Sequence, residues 1–434
     1  MLKTVEVCTR VEGHGNINIL FQDDNVSNVD FEISAYRGFE KFLIGKRLLD
    51  MPKLISRICG LCYASQAITS CKAIENLYDV EISDQSILLR RLLLCGELIK
   101  SHCMHFFFQS LPDLLTIFNI NQKPISQYDL INFNPQLTTS LFELIKFGNE
   151  IEFLFGGRSA HLISPVPGGV IYSPSRKNIT IAQKYMQKAS INLEMIIESF
   201  IEYFSNSIPP DEYSLPNPIY IGINNLGIYD RYSGIFKITE SERKAIEFQE
   251  KSYSLYFDKD TDLRGIDFHF NKKKNVLTGP LARFKIIETY GNDKVSSYLE
   301  NFDKSWINNI LFSEFLKLLE MLVETEQALK ILDNPSLSIK QKFPILSSIK
   351  NPEGIGFVEA PRGILMHHYY VDNNGLIIKL KLFIATEINI PLINEMITKY
   401  AQKLYEKTGD ITLVKKQIQT IIRAFDPCIS CATH

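Results

Sequence analysis

No run of about 18 uncharged apolar residues occurs in this 434-residue chain, which argues against a membrane-spanning helix. The opening residues, MLKTVEVCTRVEGHG, lack the basic start and apolar stretch of a secretory leader, so a cytoplasmic location is expected. Charge of one sign is also missing. Lys and Arg total 47 against 49 Asp and Glu, a formal charge of -2, and without a basic field a nucleic-acid partner is excluded. Internal repeats and low-complexity segments are absent as well. Cysteine is sparse: Cys8, Cys59, Cys62, Cys71, Cys95, Cys103, Cys428 and Cys431 are all there are. In a reducing compartment, paired cysteines point to metal binding before disulfides.

What is present is apolar material in quantity, 45% of the residues, enough for a large domain or two fused lobes. Residues 16–34 alternate apolar and polar side chains around Asp23, Asp24 and Asn25, the pattern of a hairpin. Apolar residues then recur at three and four positions over 85–108, 137–155, 181–204, 305–332, 391–406 and 412–424. These spacings predict long helices, several with little polar face, and hence a buried bundle. Residues 357–390 return to strand character around a turn at Asp372, Asn373, Asn374 and Gly375. The pattern is therefore α+β, mainly helical, with no clean domain boundary.

Two CxxC pairs stand at opposite ends of the chain, Cys59 and Cys62 in RICGLC and Cys428 and Cys431 in DPCISCATH. A gap of two residues turns both thiolates toward one ion, and four thiolates suit zinc, iron or nickel. Pair count alone leaves a structural zinc site, a thiol redox pair and a rarer metal centre all open. Zinc ribbons, however, separate their pairs by about 15 to 20 residues. A site built from these two pairs would tie the chain ends together inside a large fold.

The sequences around the pairs, RxCGxC and DPCxxCxxH, resemble the paired signatures of nickel-iron hydrogenase large subunits. The likeness continues through TRVEGHG at 9–15, RGFEKF at 37–42, SHCMHFFFQSLPD at 101–113, GGRSAH at 156–161, GPLAR at 279–283 and APRG at 360–363, so it spans the chain. It implies one domain over residues 1–434, a large central helix bundle with small peripheral β-sheets. It also implies a nickel-iron centre, with carbon monoxide and cyanide on iron, that cleaves dihydrogen reversibly. By position, Cys59 and Cys428 would be terminal on nickel, while Cys62 and Cys431 would bridge.

The resemblance assigns further roles. Glu12 would take the proton from Cys428, a task that needs a titrating group beside the thiolate. Arg362 would set its fork of donors over the centre and bond a cyanide nitrogen. Thr386, in LFIAT, would bond the other cyanide, and Asp113 would pair in the arginine region. A magnesium (or iron) near the carboxy terminus would be held by Glu40, a main-chain oxygen at Leu382, His434 and waters. In the family a tail is removed after this histidine once nickel is in place, so the chain is expected to be the matured form, served by a maturation protease and nickel-insertion proteins.

One departure stands out: Gln66 occupies the place of a histidine that bonds a bridging thiolate in relatives. An amide can donate that bond but cannot carry a proton near neutral pH. Four thiolates committed to one site leave no set for an iron-sulfur cluster, so an iron-sulfur small subunit is required. RGFEKF and APRGILMHHYYVDNNG look most like the cytoplasmic bidirectional branch, with flavin- or heterodisulfide-linked electron-transfer subunits. A twin-arginine signal on a partner would be compatible with export of the complex. The alternative is a dihydrogen-sensing regulatory hydrogenase of low turnover, favoured only by Gln66. The quinone-reductase scaffold related to these enzymes lacks the thiolates and is argued against by all four.

Overall fold

Helix-period leucines placed between capping residues set the architecture. In a computed structural model, which describes residues 2–33, 37–120, 126, 128–240, 243–259, 266–269, 275–339 and 343–433, the main helices are α1 (Tyr63–Tyr78), α2 (Asp84–His105), α3 (Pro135–Gly156), α4 (Arg176–Phe204), α5 (Phe312–Leu332), α6 (Ala385–Thr408) and α7 (Ile411–Ala424). Side chains of Ser83, Asn134 and Ser175 accept amide hydrogens at the starts of α2, α3 and α4, satisfying donors that a helix start leaves free. α2, α3, α4 and α5 pack side by side as the central bundle. None of the helices in the described residues is long and apolar enough to cross a membrane.

The sheets are small and peripheral. Strands β1 (Leu2–Val7), β2 (Asn16–Gln22) and β3 (Asn25–Glu32) form an antiparallel meander, and β2 with β3 is the expected hairpin. A second sheet joins β4 (Ile219–Asn224), β5 (Ile235–Glu240), β6 (Arg243–Phe248) and β7 (Val276–Leu277). The third has β8 (Glu353–Ala360), β9 (Gly363–Val371) and β10 (Ile377–Ile384) in order and lies on α1. Ala360 pairs with Gly363, so Pro361 and Arg362 form the tip of the β8–β9 hairpin. Gly363 has φ +130, and a Cβ there would stand 2.5 Å from Thr278 Oγ1. The tip is therefore reserved for glycine.

The architecture agrees with an α+β, mainly helical reading, while several boundaries move. The helix expected over 305–332 is two, Lys304–Ile307 and α5. α6 begins at Ala385 and carries Pro391 inside it, so Thr386 sits in a first helical turn rather than in a strand. α1 and the second sheet were not expected at all. α2 runs into a wide π-type turn over Phe106–Ser110, within the SHCMHFFFQSLPD stretch.

Along α5 the charged residues Glu314, Lys317, Glu320 and Glu324 are buried. Lys317 bonds Glu314 at 2.9 Å, Arg283 pairs with Glu320 at 2.7 Å and Arg231 with Glu324 at 2.5 Å. A helix this apolar tolerates four charges because each meets its opposite inside the bundle.

Candidate metal centre

Cys59 stands in extended conformation directly after a single helical turn, Ser56–Ile58, and its Sγ accepts the amides of Leu61 at 3.2 Å and Cys62 at 3.3 Å. α1 starts directly after Cys62. Buried Glu97 of α2 closes that start, accepting the amides of Ala64 at 2.6 Å and Ser65 at 3.1 Å. Burial raises this carboxyl to about 7. Beneath the same loop Tyr63 donates to Glu152 at 2.7 Å, and Lys100 lies 2.5 Å from that carboxylate. Burial, partly offset by Lys100, raises Glu152 to about 7 as well.

The second pair arrives from the far end of the chain. Cys428 donates its amide to Thr386 Oγ1 at 2.9 Å, and Ile429 donates to the Glu12 carbonyl at 3.0 Å. Gly13 lets the amino-terminal segment come this close. Its φ is +87, and a Cβ would fall 2.9 Å from Ile429 Cβ. Arg37 locks the two loops together, donating through one nitrogen to Ile58 O at 2.5 Å and to Ser430 O. That clamp was missed in the sequence, where RGFEKF drew attention to Glu40.

All four thiols are buried, and their sulfurs lie within 4.8 Å of one another. Cys62 and Cys431 approach to 2.8 Å, Cys428 and Cys431 to 2.8 Å, and Cys59 and Cys428 to 3.5 Å, well outside the roughly 2.05 Å of a disulfide. Hydrogen bonds from Cys428, Cys431 and Cys62 hold Cys59 far below the usual thiol range, while burial pushes Cys428 up to about 11. Ionising all four calls for positive charge at their centre, which is what a bound metal provides.

Beside the sulfurs is a cavity of about 20 Å³, touching Cys62, Cys428, Cys431, Gln66, Pro361, Arg362, Leu365 and Thr386. That is room for little more than one water-sized group. Its walls are apolar except at a few points. Gln66 Nε2 is buried without a hydrogen-bond partner. Arg362 Nη2 sits 2.7 Å from Asp426 Oδ1 in an ion pair too poorly aligned to count as a hydrogen bond. Thr386 accepts from Cys428 and keeps its own hydroxyl hydrogen to donate.

Glu12 lies against the second pair: Cys428 Sγ is 3.2 Å from its Oε2, which also accepts the Ser430 amide at 3.0 Å. The Ser430 hydroxyl bonds the other oxygen. Arg362 is held by Asp426, whose carbonyl and Oδ1 both accept from Nε at 2.9 Å, and by Ser101 Oγ at 3.1 Å. Asp426 also meets Lys317 at 3.5 Å. Burial opposes its charge, but Arg362, His105 and Lys317 hold it well below the usual carboxylate range.

Asp113 does not pair with Arg362. It binds Arg10 and, at 2.5 Å, Arg423 of α7. Asp426 and Ser101 take the place expected of it. The signal for Asp426 was its position before Pro427 and the second pair, and its backbone stands at φ +52, unusual for a non-glycine residue. Away from the thiols, Glu40 Oε1 accepts the Leu382 amide at 2.8 Å. Lys259 Nζ reaches the Leu382 carbonyl at 3.2 Å, Glu387 at 3.0 Å and Glu40 at 3.6 Å. His434 lies outside the described residues.

The nickel-dependent hydrogenase family model matches residues 37–136 and 270–434. The matching chain of the F420-non-reducing hydrogenase of Methanothermobacter marburgensis is 30% identical over 99% of this chain and 94% of its own length. The NAD-reducing hydrogenase HoxS subunit beta of Cupriavidus necator is 28% identical over the same shares. A crystal structure of an NAD+-reducing [NiFe]-hydrogenase in the H2-reduced state superposes with a TM-score of 0.93 at 25% identity, covering 100% of both chains. The nickel-iron-selenium hydrogenase of Desulfomicrobium baculatum shares the fold at a TM-score of 0.76. Four buried cysteine thiols gathered from both chain ends, in a fold and sequence matched along its length, place this chain in the family of nickel-iron hydrogenase large subunits, enzymes that act on dihydrogen.

Proposed function

We propose that this chain, residues 1–434 acting as one domain, is the catalytic subunit that cleaves dihydrogen reversibly and passes the electrons to an iron-sulfur partner. One observation carries the reading: four buried thiols converge beside a water-sized cavity into which a few polar side chains reach. The residues fit a thiolate-held nickel-iron pair. Cys59 and Cys428 would hold nickel alone, and Cys62 and Cys431, whose sulfurs approach to 2.8 Å, would be shared with iron. When bound, the pair with carbon monoxide and cyanide on iron supplies the Lewis acidity that polarises dihydrogen.

This chain's own residues manage access, position and protons. Apolar side chains keep the cavity dry, which strengthens every polar contact within it. Arg362 and Thr386, which line the cavity, would offer hydrogens to cyanide ligands, and Gln66 would offer one beside the shared sulfurs. Glu12 Oε2 receives the proton from Cys428 Sγ, and Ser430 holds the carboxylate at that sulfur. Asp113 acts at a distance, bracing Arg423 and Arg10 on the side of Glu12.

Glu40, the Leu382 oxygen and His434 would hold a magnesium (or iron) ion. Oxygen donors suit that hard cation, and the Glu40 carboxylate stands beside the Leu382 main chain, its Oε1 2.8 Å from the Leu382 amide. On the surface, Gly60 of the first loop is exposed, and Ile163, Ile171 and Tyr172 stand exposed around the Gly157 loop that reaches Tyr63. An apolar face at that point supports an iron-sulfur small subunit docked next to the first pair. The two relatives' names differ over the electron acceptor, which supports assigning that choice to flavin- or heterodisulfide-linked partner subunits, in the cytoplasm. A dihydrogen-sensing role is the second reading and rests on Gln66 alone.

Elemental analysis with infrared spectroscopy of the purified complex tests the proposal. Nickel and iron with carbon monoxide and cyanide bands are expected; zinc without iron overturns it.

A further inference from the structure

Cys59 and Cys62 are followed by amides in the same register, and the two sulfurs use them differently. Cys59 Sγ accepts the main-chain N–H groups two and three residues on, Leu61 at 3.2 Å and Cys62 at 3.3 Å. The counterparts for Cys62 are Ala64 and Ser65. Cys62 stands at the N-cap of α1, the position from which a side chain ordinarily accepts the amides of the second and third helical residues. Its side chain takes no such bond. Both amides go instead to Glu97 Oε1 on α2, Ala64 at 2.6 Å and Ser65 at 3.1 Å, and the Ser65 hydroxyl bonds Oε2.

Glu97 is fully buried, and a carboxyl is costly to bring into a dry interior. Were a cap all that α1 needed, the Cys62 sulfur already stands in place, as the Cys59 sulfur does for its own loop. An acid brought across from another helix changes one thing more, which is how many lone pairs of Cys62 stay free. A second carboxyl repeats the pattern at the far loop: the Ser430 amide, two residues after Cys428, goes to Glu12 Oε2 at 3.0 Å. A thiolate shared between two metals donates lone pairs to both, and a hydrogen bond donated to that sulfur draws off the density it would share.

We infer that Glu97 is a positioning residue for the bridging sulfur: by capping α1 in place of Cys62 it keeps the Ala64 and Ser65 amides off that sulfur and leaves it electron-rich toward both metals. This inference rests on the reading of the chain as a hydrogenase catalytic subunit with Cys62 shared between nickel and iron.

The carbon monoxide band of the purified holoenzyme reads it out. Electron density passed from a shared thiolate to iron increases back-donation and lowers the band, so a hydrogen bond newly donated to that thiolate should raise it. Glu97→Leu leaves two buried amides without their acceptor, and a buried donor must find another; the Cys62 sulfur at the cap position is there to receive them. The band is therefore expected to move to higher wavenumber. Glu97→Gln removes the charge but keeps an acceptor oxygen, and the Ser65 hydroxyl can accept from the new amide, so its band should stay at the wild-type position. An unmoved band in the metal-loaded fraction of Glu97→Leu, which a purely structural carboxyl predicts, overturns the inference. Equal shifts in the two variants also overturn it, because they would trace the effect to charge and not to the cap. If Glu97→Leu loads no metal, a crystal structure of the wild-type holoenzyme decides: the Ala64 and Ser65 nitrogens should lie within hydrogen-bond distance of Glu97, and amides turned to Cys62 Sγ overturn the inference alone. A wild-type complex without the band overturns the hydrogenase reading itself, and this inference with it.

Discussion

The two CxxC loops have the same spacing and opposite surroundings. Around Cys59 and Cys62 the contacts are main-chain amides, a tyrosine and two carboxyls, Glu97 and Glu152, that burial raises to about 7, the second against Lys100. Around Cys428 and Cys431 they are acidic and basic side chains in contact: Glu12 at the sulfur, Arg362 on Asp426, Lys317 on Glu314. Under the proposed function the same CxxC spacing would serve two tasks: the loop beside the buried carboxyls and exposed Gly60 would face the electron-accepting partner, and the loop beside Glu12 would handle the proton.

The largest expected effect tests that division directly. Glu12→Gln keeps size and hydrogen bonding but removes the titrating group, so deuterium-proton exchange per nickel should fall about 100-fold to 10,000-fold with metal content retained. Exchange near the wild-type value would mean that protons leave elsewhere and that the second loop has no privileged role.

Next comes Asp426→Asn, which strips the buried counter-charge from Arg362 and Lys317. Roughly 3 to 5 kcal/mol of stability should be lost, measured by denaturant unfolding. A loss below about 1 kcal/mol would show that the charges around the second pair are solvated and that the contrast is overstated.

The loops should also respond oppositely to pH. Glu97 is raised from 4.5 to about 7. The unfolded chain releases that proton first as pH rises through this window, and stability falls by on the order of 3 kcal/mol. Glu314 behaves the other way: burial would raise it, but Lys317 and His105 outweigh burial and bring it from 4.5 to about 2. Its contribution is complete above 4.5 and is lost as pH falls toward 2. Glu97→Gln should therefore flatten the neutral limb of a melting-temperature profile, and Glu314→Gln the acid limb. If either variant flattened the other's limb, the assignment of charge states to the two loops would be reversed.

The smallest effect compares two glycines. Gly13→Ala meets both a left-handed backbone and Ile429 and should cost about 2 kcal/mol. Gly60→Ala has open space and should stay within about 0.5 kcal/mol. Equal costs in thermal unfolding would erase the difference in packing around the loops.

Much of this was legible in the sequence because it rests on local pattern. The β2–β3 hairpin declared itself through Asp23–Asn25 between alternating runs, and α2, α3, α4 and α7 through their helical period. α1 went unread: it starts directly after the first cysteine pair, and its polar residues Ser65, Gln66, Thr69 and Ser70 are buried along with its apolar ones. The second sheet was hidden because β4 is buried along its whole length, so its apolar run shows no alternation. Asp113 was misplaced because a motif gives a residue's chemistry and not its neighbour: its arginines, Arg10 and Arg423, come from the two chain ends.

By itself the sequence determined that each CxxC pair turns its two sulfurs toward one point, since that spacing does so wherever the loop lies, while the joining of the two pairs in one site was implied only by the family resemblance. It determined the helix-rich class for the same reason, that period and capping are properties of neighbours along the chain. Only the tertiary structure decided who stands beside the sulfurs. Arg37 spanning both loops, Asp426 beneath Arg362 and His367 behind Gln66 are contacts between elements far apart in sequence. Their partners are fixed by packing in a dry interior, where each buried donor must find an acceptor, and no spacing along the chain records that pairing.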